Sequence, residues 1–333
     1  MPEGPEVRKY ADALDGVLTG RRLTSLEART RDARAWLKDN EGRLLGQRVE
    51  RVVSHGKHLL GYIEGGFFFH SHLMMWGRWQ TFAPTRTAES YRRRSLKQFV
   101  LPEKDRRERA RIIVDGGAAI LLSAPIFNVG EGNPYERIDH LATLGPDALP
   151  YNKRFDGAEF QSRLLLPEHE DVPIGAALLD QRIVAGLGNY LRAEIMFACK
   201  LNPWRKVGDL SDRNLKSLRR TIPRLTRLSY EKAATAREPD RERMAHDPSL
   251  VYQTGREYGT RHLAFRRTNL PCLRYGERIR QLRQKTYHSQ ADEDQEERTR
   301  IVYFCAKCQN VDLDAIEKER ISTKSSQSKT SFD

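Results

Sequence analysis

Cysteine is scarce in this chain: four residues in 333, at positions 199, 272, 305 and 308. That is too few for a disulfide scaffold, and their clustering late in the chain points to a metal site instead. Long hydrophobic runs are missing too. Apolar runs such as Ala118–Leu122 and Gly65–Phe69 are far shorter than a bilayer span requires, so no membrane segment is expected. The N-terminus, Met1-Pro2-Glu3-Gly4-Pro5-Glu6, lacks the basic patch and apolar stretch of a secretory signal, and a cytoplasmic protein is expected. There is no internal repeat. Acidic residues are outnumbered, 45 against 58 lysines and arginines, which leaves a formal charge of +13. Such an excess favours a polyanionic partner, because each cation that meets a phosphate releases condensed counterions.

What is present divides the chain into an α+β multidomain protein. Val7, Tyr10, Ala11 and Leu14 recur at helical spacing behind Pro5 and Glu6, which predicts an N-terminal helix. Strand patterns follow at 22–26, 47–54, 58–63, 67–73, 111–114 and 119–123, with hairpin turns at Glu64-Gly65-Gly66 and Asp115-Gly116-Gly117. Residues 1–130 are therefore expected to form an antiparallel β-sandwich behind that helix. A loop at 130–134 opens a linker over 131–151.

Helical periods dominate 152–261. Asp156 with Glu159 reads as a capping box, Ser211 caps a helix carrying Leu215, Leu218 and Ile222, and patterns at 174–182 and 190–200 flank Gly186-Leu187-Gly188-Asn189. A β-hairpin with arms at 278–287 and 300–304 is expected within 262–312, its acidic tip at 291–298. Residues 313–333, rich in Lys, Ser and Thr, are expected to be a disordered tail.

Several residues are candidates for chemistry. Pro2, once Met1 is removed, has a free secondary amine that titrates near ~8 and can condense with a sugar aldehyde carbon to a cationic iminium. Glu3 could shuttle a proton beside it, and both could equally be a helix entrance whose acid matches the helix dipole. Lys57 lies at a turn between strands, as a phosphate anchor, a proton-transfer group or a solvated charge. Met74, Met75 and Trp76 end a strand and suit either a wedge between base steps or sandwich packing. His70 and His72 share a strand face, where hydrogen-bonded core histidines are favoured over a metal pair. Asn189 is read as the N-cap of a helix start that offers N–H groups to an anion. Cys199 is expected in the core. Cys272, Cys305 and Cys308 are candidate zinc ligands; a ribbon would want one more cysteine near Cys272, but that place is Tyr275. Zinc on three cysteines and water, or a hairpin surviving on packing alone, both stay open, with distant His288 a poor substitute. No organic cofactor is implied.

Taken in order, Pro2-Glu3-Gly4-Pro5-Glu6, Leu178-Leu179-Asp180-Gln181-Arg182 leading into Gly186-Leu187-Gly188-Asn189, and Tyr303-Phe304-Cys305-Ala306-Lys307-Cys308-Gln309 resemble the formamidopyrimidine-DNA glycosylase and endonuclease VIII family over about residues 2–309. The resemblance implies a β-sandwich, a helix-two-turn-helix domain and a zinc-finger-like hairpin acting on double-stranded DNA as a monomer. It casts Pro2 as nucleophile and Glu3 as proton donor, with Glu6 supporting the N-terminus or the lesion. Lys57 would contact phosphate and move a proton in β-elimination, Asn189 would hold a phosphate, and Arg300 would serve δ-elimination. Met74, Met75 and Trp76 fall where endonuclease VIII members fill the gap left by a flipped base, so that branch, acting on oxidised pyrimidines, is expected. Met74 replaces a polar residue and Tyr275 a cysteine, and the hairpin is long and acidic at its tip. A catalytically silent damaged-DNA-binding protein, or a zinc-ribbon module blind to lesions, would be the alternatives.

Overall fold

A computed structural model describes residues 2–83, 101–252, 257–287 and 299–316. The chain divides into two compact units, Met1–Phe160 with Gln181–Leu187, and Gln161–Asp180 with Gly188–Asp333.

The first unit opens with α1 (Gly4–Leu18), whose Val7, Ala11, Leu14 and Leu18 lie on one buried stripe. Tyr10 is only partly buried and packs at the edge of that core. Two four-stranded antiparallel sheets follow. One runs β1-β6-β7-β5, built from β1 (Leu23–Ala28), β6 (Glu108–Val114), β7 (Gly117–Leu122) and β5 (Arg78–Phe82); the other runs β2-β3-β4-β8, from β2 (Val49–His55), β3 (His58–Ile63), β4 (Phe67–His72) and β8 (Ile126–Glu131). The core between them gathers Leu23, Leu26, Val52, Phe69, Trp79, Ile112, Leu121 and Phe127 with the apolar stripe of α1. The turns are glycine turns: Gly65 and Gly66 have φ of 81° and 80°, and Gly116 has 74°, a region that penalises a side chain.

Several described elements of this unit departed from the sequence expectation, among them two single helical turns, Pro134–Arg137 and Asp139–Ala142, within the expected linker. A helix, α2 (Arg31–Leu44), inserts after β1; it buries only Ala33, Leu37 and Leu44, too sparse a stripe to stand out from its charged neighbours. β5 and β8 complete the two sheets, and β8 runs through Gly130, so the expected loop there begins two residues later, at Gly132.

The second unit holds α3 as far as it continues beyond Phe160 (α3 spans Gly157–Leu164), the single turn α4 (Ile174–Ala177), α5 (Asn189–Cys199), α6 (Asp212–Lys232) and α7 (Glu238–His246). Ser211 caps α6 reciprocally with Asn214, and Leu215, Leu218 and Ile222 are buried as expected. The pattern at 174–182 forms only the turn α4. Strands β9 (Arg280–Lys285) and β10 (Thr299–Phe304) pair antiparallel, with Arg300 opposite Gln284. His288, the acidic tip and the tail from residue 317 lie outside the described residues. Among the described residues no helix is long and apolar enough to cross a membrane.

Candidate active site

The N-terminal end of α1 is locked by its own sequence. Glu3 is the N-cap and Glu6 the third helical residue; the Glu6 carboxylate accepts the Glu3 N–H at 2.9 Å while the Glu3 carboxylate faces the Glu6 N–H, a reciprocal box that satisfies two orphan donors. Glu3 is 2% exposed, whereas Pro2 just ahead of it is only partly buried. The next residue, Gly4, donates its N–H to the Gly186 carbonyl at 2.8 Å.

Gly186 is also where the β2–β3 turn arrives. A Cβ built on Gly186 would stand 3.3 Å from the Gly56 Cα and 3.6 Å from the Gly4 Cα, and one on Gly56 would meet Ala185 at 2.7 Å. Three segments far apart in sequence thus touch main chain to main chain, which only glycine permits. Pro2-Glu3 and Lys57 thus adjoin two of the three glycines that meet at this contact. Partly buried Asp147 secures the junction: it accepts the N–H groups of Leu149, at 2.9 Å, and Gly56, and desolvation raises its pKa despite them. Lys57 is partly buried and its charge helps lower the neighbouring His72.

β4 ends in a tight turn that presents Met74, Met75 and Trp76 at 45%, 55% and 78% exposure. Such large apolar groups exposed together are not core residues, and sandwich packing is excluded for all three. Met74 holds a left-handed φ of 50°, and its N–H donates to His72 Nδ1 at 3.1 Å. Gly77 closes the turn on the Leu73 carbonyl at 2.8 Å. Behind it, His58 Nδ1 and His70 Nε2 are 2.9 Å apart and Asn128 Nδ2 donates to His70 Nδ1 at 3.2 Å. An acceptor at His70 Nδ1 puts its proton on Nε2, which donates to His58, so both rings are neutral. Burial pushes His58, His70 and His72 down to about 2, 3 and 4. They are hydrogen-bonded histidines, as expected, and belong to no cluster suited to a metal among the described residues.

In the second unit Gly188, not Asn189, is the N-cap of α5; Asn189 is its first helical residue and is partly buried. Its Oδ1 accepts from Arg192 Nη2 at 2.7 Å. Arg300 is exposed on β10. Cys272, Cys305 and Cys308 are buried with their sulfurs within 4.8 Å of one another, and the Cys272 and Cys308 sulfurs 3.5 Å apart. Sulfurs on one tetrahedral zinc at ~2.3 Å stand roughly 3.8 Å apart, so the spacing of the trio fits three corners of such a site. The Cys308 N–H points at the Cys305 sulfur at 3.4 Å, the usual way a peptide steadies a thiolate. Tyr275 does not supply a fourth corner: it is 50% exposed, with the Lys307 ammonium 5.4 Å over its ring. Cys199 is half-buried rather than in the core, its thiol facing Ser217 and Thr221 on α6 and raised by burial.

Sequence reasoning passed over four groups: Asp147, the His58–His70 pair as a linked unit, Arg192 and Glu194. Glu194 is 2% exposed and accepts the N–H groups of Leu263, Ala264 and Phe265 at 2.7–2.9 Å and the Thr235 hydroxyl at 2.9 Å. The signal was two charges inside the otherwise apolar run from Tyr190 to Phe197, a place where a charge survives only with partners.

The first unit is a β-sandwich behind a helix with Pro2 just ahead of its Glu3 N-cap, and the second joins the glycine-led α5 to a hairpin ending in two cysteines. The formamidopyrimidine-DNA glycosylase N-terminal domain family matches residues 1–113 and the H2TH domain family of the same enzymes matches residues 144–239. The chain belongs to the formamidopyrimidine-DNA glycosylase and endonuclease VIII family of base excision repair glycosylases. Endonuclease 8 of Salmonella arizonae is 33% identical over 230 residues, 69% of this chain and 80% of that protein. Endonuclease 8 of Salmonella typhi is 31% identical over 309 residues, 93% of this chain and 100% of that one. A Lactococcus lactis Fpg in complex with DNA containing an abasic site shares the fold, with a TM-score of 0.66 and 19% identity over 93% of this chain and 100% of that one.

Proposed function

We propose that this protein is a bifunctional DNA glycosylase and AP lyase that excises oxidised bases, pyrimidines above all, from double-stranded DNA. The observation that carries the reading is the glycine junction. Pro2-Glu3 and Lys57 flank two of the glycines that meet there, which supports a nucleophile, its proton donor and a phosphate-facing cation acting together. The related Lactococcus lactis enzymes are seen with abasic-site and oxidised-pyrimidine DNA, which supports the same substrate class here.

With Met1 removed, the Pro2 nitrogen attacks C1′ of the flipped nucleotide. Glu3 donates a proton to the ring oxygen, the C1′–O4′ and C1′–N bonds break in turn, and the base departs with the bonding electrons of its own bond. The cationic iminium acidifies C2′–H; loss of that proton expels the 3′ phosphate, and a second elimination expels the 5′ phosphate. Lys57 and Arg300 balance phosphate charge and serve proton transfer in the β and δ steps, while Asn189 holds a phosphate at the start of α5. Met74, Met75 and Trp76 fill the space of the extruded nucleotide. Zinc, when bound by Cys272, Cys305 and Cys308, cross-links the finger and takes no part in the bond chemistry. Residues 1–130 carry the chemistry in this scheme, 152–261 grip the DNA through the helix-two-turn-helix, and 262–312 form the finger.

The test is borohydride trapping on a duplex with an abasic site or an oxidised pyrimidine. A covalent adduct mapped to Pro2 by mass spectrometry, lost in Pro2→Gly and in protein that retains Met1, is the expected result. Tight binding to damaged duplex with no adduct, after verified Met1 removal, would instead make it a silent damage-binding protein.

A further inference from the structure

Among the described residues Arg192 is the largest fully buried side chain, with none of its surface exposed. A guanidinium is never neutral in a protein, so burying one is tolerated only where acceptors meet it. Its acceptors are informative. Nη1 donates to the Gly175 carbonyl at 3.1 Å and to Gln284 Oε1 at 3.4 Å; Nη2 donates to Asn189 Oδ1 and to the Ile301 carbonyl, both at 2.7 Å. One planar fork therefore reaches the first residue of α5, the turn α4, and both strands of the hairpin.

Two consequences follow from the chemistry of these groups. An arginine has donors only, so the Asn189 amide must turn its oxygen inward and its Nδ2 hydrogens outward. The outward edge of Asn189 is thus a donor, the polarity that a phosphate needs. Second, Gln284 is the β9 partner of Arg300, and Ile301 is the next residue after it, so the same guanidinium clamps the hairpin on both sides of Arg300. Gln284 is itself held, with Nε2 donating to the Pro203 carbonyl at 2.9 Å.

We infer that Arg192 is a positioning residue that orients the Asn189 amide toward a DNA phosphate and fixes the strand position of Arg300, so that the two act as one phosphate clamp. This rests on the function proposed above for Asn189 and Arg300.

The experiment uses the full chain and a duplex with a non-cleavable tetrahydrofuran abasic analogue. Affinity is measured against salt for wild type, Arg192→Lys, Asn189→Ala and the double variant. Lysine keeps the charge but cannot fork. Each single change is expected to weaken binding about tenfold, and the double variant to be no weaker than the weaker single, because both remove one interaction. On cleavable abasic DNA, Arg192→Lys is also expected to shift products from δ- toward β-elimination with trapping at Pro2 retained. Losses that multiply in the double variant, or an unchanged δ-to-β ratio, would overturn the inference. Asn189→Asp covers the case in which Arg192→Lys does not fold. An aspartate accepts from Arg192 as well as asparagine does but presents no outward donor, so its melting temperature should equal or exceed that of wild type while its salt slope falls by about one phosphate contact. A destabilised Asn189→Asp would mean the amide faces the other way and would also sink the proposal. If wild type itself forms no Pro2 adduct, the function fails and not the Arg192 geometry, which Asn189→Asp melting still reads.

Discussion

In the first unit, Gly4, Gly56 and Gly186 bring distant segments together by letting backbone touch backbone; in the second, Arg192 and Glu194 do so with buried charges that each gather several partners. The two devices fail in opposite ways. A glycine contact is broken by adding atoms, a charged hub by removing them. The difference teaches where each unit tolerates variation: the first is unforgiving of size at the junction, the second of polarity in its core.

The comparison can be pressed hardest at Glu194. Glu194→Ala leaves the N–H groups of Leu263, Ala264 and Phe265 without their acceptor in a buried place and is expected to cost about 3–5 kcal/mol. Denaturant unfolding measures it; a loss below about 1 kcal/mol would show that the hub is dispensable. Gly56→Ala comes next. Its Cβ would overlap Ala185 and the Gly186 nitrogen at a φ of 56°, for a loss of about 2–3 kcal/mol together with slower trapping at Pro2. Stability falling without slower trapping would separate the junction from the chemistry.

A pH titration sharpens the contrast further. His58, His70 and His72 stay neutral in the fold because burial holds them at about 2, 3 and 4, while in the unfolded chain they titrate near the ordinary value of 6.5. The unfolded state therefore binds more protons below pH 6.5. This stabilisation is complete above that pH and shrinks as pH falls toward 4, by about 1.4 kcal/mol per pH unit for each histidine. His58→Gln should lower the slope of stability against pH by one proton over pH 4–6.5; an unchanged slope would mean that His58 is charged in the fold. Protonation of His72 also sets an N–H against the Met74 N–H, so the wedge turn should loosen at the acid end of the same window. The smallest effect on stability belongs to the proposed wedge. Met75→Ala, at an exposed site, should change stability by no more than about 0.5 kcal/mol, yet weaken capture of a base still in the duplex more than binding to an abasic site. Equal losses on both substrates would count against the wedge.

Much of this molecule was legible before any coordinates, and the legible part was local. The Ser211 cap with its Leu215, Leu218 and Ile222 stripe, the glycine turns at 64–66 and 115–117, and the paired cysteines at 305 and 308 each follow from neighbours in sequence whose geometry is set by backbone sterics and short hydrogen bonds. Elements whose stability comes from distant partners were missed. β5 is exposed along much of its length and exists because β7 pairs with it, and α2 carries too few apolar residues to be told from its charged surroundings.

The site divides in the same way. Sequence alone determined which groups are present: a proline at position 2 beside a glutamate, a turn lysine, three large apolar residues at a strand end, and three cysteines, with Tyr275 where a fourth would stand. Only the tertiary structure decided how they are held. It brought Gly4, Gly56 and Gly186 into contact, lowered three histidines by burying them together, exposed Met75 and Trp76, and sank Arg192 beneath Asn189 and Ile301. Residue identity supplies chemical capacity, but donor direction, burial and close approach depend on residues dozens to hundreds of positions apart, and those distances close only on folding.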